Sequence, residues 1–202
     1  MKLPKFAPGP YAKFPGLNYA HPAPFRNWQS KHLTTLVGGW LAQDPPRLEL
    51  ATLALNELRS RHEDLEAGMR FAEKGFEPID WLAEAGERVR STFTKDVLDT
   101  QKTGRLTGSV YVMLRAGYLA DNGWYGAYVG STKKNPAHRC VEHRKGIRSR
   151  RGLPRHGIEP LWSLFDFINP VPIKREAMME WETRLHEALA PVIPKVTGDV
   201  AF

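Results

Sequence analysis

The chain has one cysteine, Cys140, in 202 residues. A single thiol excludes an internal disulfide framework and any metal site built from several cysteines, and it fits a reducing compartment. Cys140 itself reads as a small packed side chain, not a nucleophile. Long apolar runs are also lacking: none approaches the roughly 18–20 residues that a membrane span needs, so the chain is expected to be soluble. The first residues, Met1-Lys2-Leu3-Pro4-Lys5-Phe6-Ala7-Pro8, are broken by proline where a secretory signal would carry about 7–15 uninterrupted apolar residues. A cytoplasmic location is the expectation. Asparagine is absent after Asn169.

Acidic residues are outnumbered, 22 Asp+Glu against 29 Lys+Arg, for a formal net charge of +7. The excess is unevenly placed: +4 over residues 1–50, −2 over 51–107 and +5 over 108–202. Within the last part, Arg139, Arg144, Lys145, Arg148, Arg150, Arg151 and Arg155 share one short stretch with a single acid, Glu142. Such a cluster, with Lys133 and Lys134 just before it, draws polyanions through phosphate neutralisation and counterion release, nucleic acid first. The alternative is a solvated surface face.

Three segments are expected. Residues 1–46 carry Pro4, Pro8, Pro10, Pro15, Pro22 and Pro24 among Phe6, Tyr11, Phe14, Tyr19, Phe25 and Trp28, and proline blocks helix, so this reads as an extended Pro/aromatic arm. Its aromatics favour packing on its own chain. Residues 47–107 form a helical accessory segment: helices near 47–62, 64–74 and 80–93 follow from apolar residues at intervals of three and four, the second stopping at Gly75. Thr100–Gly108 reads as a linker. Residues 108–202 change character. Two β-rich runs, Val110–Leu114 and Trp124–Gly130, flank the turn signal Asn122-Gly123 and predict a hairpin. A helix follows Pro136, Leu161–Ile168 reads as a third strand, and Ile173–Ala190 as a long helix. The order β-β-α-β-α predicts a small α/β module, a three-stranded mixed sheet flanked by helices.

Within that module sit groups suited to phosphodiester chemistry, which needs charge neutralised on phosphoryl oxygens, an activated water and a proton-transfer partner. Arg139 and His143 are spaced i, i+4, one turn apart on one helix face. Glu182 borders the apolar stripe Met178, Trp181, Leu185 of the last helix. Two tyrosines, Tyr111 and Tyr128, sit in the β-rich runs, in Ser109-Val110-Tyr111 and Tyr128-Val129-Gly130-Ser131-Thr132.

Residues 108–195 resemble the GIY-YIG endonuclease superfamily, with Ser109-Val110-Tyr111 standing at its first tripeptide beside Gly108, Tyr128-Val129-Gly130 at its second, and Arg139, His143 and Glu182 at its arginine, histidine and glutamate. The resemblance implies a divalent-metal-dependent DNA endonuclease of restriction, homing or repair type. Tyr111 would be general base or water-orienting phenol, with its pKa lowered by the metal and Arg139. Tyr128 would position the phosphate, Arg139 stabilise transition-state charge, and His143 move a proton or contact the phosphate. Glu182 would ligate Mg²⁺ or Mn²⁺. DNA is the implied partner, with Lys133, Lys134, Arg144, Lys145, Arg148, Arg150, Arg151 and Arg155 on its backbone, and a homodimer is compatible. The alternative is a nucleic-acid-binding protein that keeps this fold without cutting, since the family's asparagine beyond the glutamate is replaced here by Pro194-Lys195-Val196.

Overall fold

The computed structural model describes residues 11–102, 104–117, 125–149 and 152–198. Their architecture is mixed α/β, a five-stranded mixed sheet with helices packed around it. No helix among these residues is long and apolar enough to cross a membrane.

β1 (Leu106–Arg115) is the sheet's central strand, as its almost unbroken burial from Val110 to Leu114 requires. It pairs antiparallel with β2 (Gly126–Thr132), in a register that sets Tyr111 opposite Gly130 and Met113 opposite Tyr128. On its other side lie β3 (Gly157–Pro160) and the two-residue β4 (Val171–Pro172), both antiparallel. β5 (Val196–Thr197) adds a parallel strand outside β2, giving the order β3-β1-β2-β5. Asn169 supports β1 from its flank: its side-chain oxygen accepts from the Val110 N–H and its amide donates to the Val110 carbonyl, each at 2.9 Å.

The expected helices form as α2 (Leu48–Ser60), α3 (Leu65–Lys74, closed by Gly75 at φ 67), α4 (Leu82–Thr92), α6 (Pro136–Arg144) and α9 (Arg175–Leu189). Four expectations fail locally. Residues 11–46 are not extended throughout, and Pro4, Phe6, Pro8 and Pro10 lie outside the described residues. Ser30–Leu41, free of proline and apolar at Leu33, Val37, Trp40 and Leu41, forms α1. The supposed linker, Thr100–Gly108, is structured at both ends: α5 (Lys95–Gln101), capped by the Thr94 hydroxyl, runs into it, and β1 already begins at Leu106. The sheet has five strands and not three, because β4 and β5, two residues each, are too short to leave a period in the sequence. Finally, Leu161–Ile168 is not a strand: the third strand is Gly157–Pro160, and the run continues as α8 (Trp162–Phe165) and a 3₁₀ turn over Asp166–Ile168. The reason is tertiary. All of Leu161–Phe165 is buried, and the Ser163 N–H donates at 2.7 Å to the carboxylate of Glu49 on α2.

The helical segment and the sheet share one core. Phe93 stacks on Trp181 of α9, ring centroids 5.6 Å apart, and Trp81 Nε1 donates to the Tyr125 carbonyl at 3.2 Å. From Tyr11 on, the proline-rich arm packs on its own chain: Tyr11, Tyr19 and Phe25 are buried, and Trp162 Nε1 donates to the Tyr11 carbonyl at 3.1 Å. At the seam lies a carboxylate exchange. The Glu49 N–H, in the first turn of α2, donates to Glu159 Oε1 of β3 at 2.7 Å, while the Glu49 side chain receives the Ser163 N–H from α8. Arg47 stands 3.5 Å from Glu159 and donates to the Ala12 carbonyl at 2.8 Å. Burial, foremost, lifts both carboxyl pKa values well above the ordinary 4.5.

Candidate functional site

The β1–β2 register places Tyr111 and Tyr128 on one face of the sheet, two residue pairs apart along the strands. Their rings lie 6.1 Å apart, and the His143 ring lies 5.8 Å from Tyr111 and 5.5 Å from Tyr128. What lets the tyrosines close over the sheet is Gly130. A Cβ there would lie 2.6 Å from Tyr111 Oη, 2.7 Å from Tyr111 Cζ and 2.9 Å from Tyr128 Cε1. Glycine is thus required by a close approach and not by a turn.

His143 comes from α6, which starts with Pro136 at its first turn and the Asn135 side chain accepting from the Ala137 N–H at 2.8 Å. Pro136, Cys140 and His143 form its buried face. His143 is 0 % exposed, and burial, with the nearby positive Arg139, lowers its pKa from 6.5 to about 4. Tyr111 moves the other way: burial and the neighbouring Tyr128 hold its pKa well above 10, although Arg139 pulls against them through charge and a hydrogen bond. Burial thus outweighs the lowering that Arg139 supplies. Both groups are neutral near pH 7, so the Tyr111 hydroxyl donates to His143 Nε2, at 2.6 Å. That leaves the hydrogen on Nδ1, which faces Ser149 Oγ at 3.2 Å.

Arg139, one turn before His143, is fixed by three acceptors. Nη1 donates to Glu142 Oε2 at 3.0 Å and to the Ile147 carbonyl at 3.1 Å, and Nη2 donates to the Arg148 carbonyl at 2.7 Å. Lys134 pairs with the other oxygen of Glu142. The loop that Arg139 grips turns sharply, with Gly146 at φ 74 and Arg148 at φ 45. For a non-glycine residue this left-handed conformation costs about 1 kcal/mol. Thr132, Lys133, Lys134, Arg139, Glu142, Ile147 and Arg148 line an open groove of about 590 Å³.

The remaining expected residues divide. Arg144 is turned to the β3 backbone, donating to the Gly157 carbonyl at 2.6 Å, which is a structural use of its charge. Lys145 and Arg155 are exposed, the latter on α7 (Leu153–His156). Arg150 and Arg151 lie outside the described residues. Glu182 is 4 % exposed, whereas its competitors on α9, Glu176, Glu180 and Glu187, face solvent. It stands one turn from Met178, which borders the Gly108 position of β1, and one turn from His186, which borders Gly198 beside Val129 of β2. Among the described residues no three His, Cys, Asp or Glu side chains gather as a metal site. A single carboxylate such as Glu182, with water in the remaining positions, is a donor set that Mg²⁺ accepts.

Two residues escaped the sequence reading. Ser149 meets His143 Nδ1 only because the loop after Gly146 folds back along α6, and a serine six positions on carries no periodic signal. Asn169 holds the peptide just before Tyr111 from 59 residues away, which no local pattern encodes.

As a unit, the site offers a phenol whose proton has an immediate acceptor, an immobilised guanidinium beside it, and a cation-lined opening. Compared with family models, curated proteins and solved structures, the chain matches none of them.

Proposed function

We propose that this protein is a divalent-metal-dependent DNA endonuclease of the GIY-YIG type. The observation that carries the reading is the hydrogen bond from Tyr111 to a neutral, buried His143 beside Arg139. The ordered resemblance of residues 108–195 to that superfamily supports it, as does the cationic groove. A phenol held well above pKa 10 does not act as a free phenolate. It acts as a relay: Tyr111 takes a proton from the attacking water while passing its own to His143 Nε2, whose other nitrogen remains tied to Ser149. Arg139 supplies fixed positive charge to the phosphoryl oxygens as negative charge builds. Tyr128 borders the phosphate, and Lys133, Lys134 and Arg148 hold the adjoining backbone. Mg²⁺, or Mn²⁺, held through Glu182 would neutralise phosphoryl charge.

A second reading, binding without cutting, is favoured by one observation: Nη1 and Nη2 of Arg139 already donate to Glu142 and two carbonyls, as in a purely structural clamp. Plasmid and branched duplex incubated with Mg²⁺ decide between them. Cleavage should fall by about 10²–10³-fold in Arg139→Ala and in Glu182→Gln while Glu182→Gln still binds DNA. Equal nicking by wild type and both variants would refute the endonuclease. Salt-sensitive binding with no cleavage in any divalent metal would establish the second reading.

A further inference from the structure

Among the described residues three large apolar side chains stand out in solvent: Leu65 at 80 %, Met69 at 54 % and Ile147 at 48 % exposure. The first two lie on α3 beside Glu66 and Glu73, whereas Ile147 lies in the groove with Lys133, Lys134, Arg139 and Arg148. Scattered surface apolar residues need no explanation, but Ile147 is held where it is. Its N–H donates to the Glu142 carbonyl at 2.9 Å, its carbonyl receives Arg139 Nη1, and the next carbonyl receives Nη2. The residues on either side, Gly146 and Arg148, are both in the left-handed region. The backbone thus turns on both flanks, with strain at Arg148 alone, and is gripped by the candidate site's own arginine. The side chain it carries cannot bind phosphate, although the cations around it can.

A polyanion that meets those cations with its phosphates brings its sugars and base edges to Ile147. Proteins that bind the minor groove frequently insert such apolar side chains as wedges between base steps. We propose that Ile147 is a base-contacting wedge that inserts at a step of duplex DNA while Lys133, Lys134 and Arg148 hold the flanking phosphates; this rests on the groove being the DNA site, though not on cleavage. Because one guanidinium grips the wedge loop and adjoins Tyr111, insertion and alignment at the phosphate are coupled through Arg139. The substrate preference that follows is for steps that unstack easily, a mismatch or a flexible pyrimidine–purine step, over stiff runs.

The test uses the full chain in EDTA with duplexes carrying 2-aminopurine at successive positions, binding being followed by anisotropy and unstacking by fluorescence. Wild type should raise 2-aminopurine fluorescence at one step by roughly threefold and bind a duplex mismatched there about tenfold tighter than the matched one. Ile147→Ala should lose both effects while keeping the salt dependence of binding, and Ile147→Phe should keep the fluorescence rise. The same rise in Ile147→Ala, or no rise at any position in wild type, overturns the wedge. Cleavage in Mg²⁺ is scored separately. A rise without cleavage supports the wedge and removes the endonuclease; cleavage without a rise removes the wedge alone.

Discussion

Two buried titratable pairs, one at the candidate site and one at the seam between helices and sheet, use burial in opposite ways. At Tyr111–His143 the loss of water raises one pKa and lowers the other, so both partners are driven to neutrality and their hydrogen bond carries no net charge. At Glu49–Glu159 both partners are acids, burial raises both, and the charge of Glu49 raises Glu159 further. The first pair can pass a proton along a line of unlike groups. In the second, one oxygen of each carboxylate accepts a backbone N–H of the element opposite and ties the two elements together. Burial alone therefore does not mark a functional site; what separates the two is the unlike chemistry of the partners and the open groove at the first.

The strongest way to break this contrast is at Gly130, which touches only the first pair. Gly130→Ala should lower DNA cleavage by about 10²-fold or more, because the added carbon displaces both tyrosines, while DNA affinity measured in EDTA stays near wild type. Glu159→Ala touches only the second pair. It removes the acceptor of the Glu49 N–H and should lower the unfolding free energy by about 1–3 kcal/mol in urea titration, with cleavage per folded molecule unchanged.

A pH series sharpens the contrast, since the two pairs contribute with opposite sign. Glu49 and Glu159 are raised from 4.5 to about 7 and about 8, so the folded state binds more protons than the unfolded one. Their stabilisation is complete below pH 4.5 and is lost as pH rises through 7 and 8. His143 is lowered from 6.5 to about 4, so its contribution is present above pH 6.5 and lost as pH falls through 4. Urea midpoints should thus fall from pH 5 to pH 8, and Glu159→Gln should flatten that slope without altering the acid limb. The smallest effect expected concerns the cations: Lys133→Ala should reduce the salt slope of DNA binding by about 1, whereas Arg144→Ala, its guanidinium turned to Gly157, should leave it nearly unchanged.

Elements governed by neighbours in sequence were legible. Gly75 closing α3, Pro136 opening α6 and the apolar stripe of α9 each announce themselves locally, and the α/β character of residues 108–202 follows from them. The i, i+4 spacing correctly put Arg139 and His143 on one helix, one turn apart. What failed depended on distant partners. α8 bends away from a strand because Glu49, 114 residues earlier, accepts the Ser163 N–H. Tyr111 and His143 were named separately, but their hydrogen bond spans 32 residues and the upward shift of the phenol depends on packing that no spacing reports. Charge was legible as a cluster and not as a direction: Arg144 and Arg148 look alike in sequence, yet one faces β3 and the other the groove.

The carboxylate exchange at the seam also bears on how freely this chain can be cut and rejoined. A fragment beginning at residue 108 would retain Glu159 and the Ser163 N–H but lose both groups that answer them, together with the Phe93 ring beneath Trp181. Its third strand and α8 would end in unanswered polar groups. The sheet half is thus not a cassette to be moved by itself; the helical half is part of the floor on which the tyrosines stand.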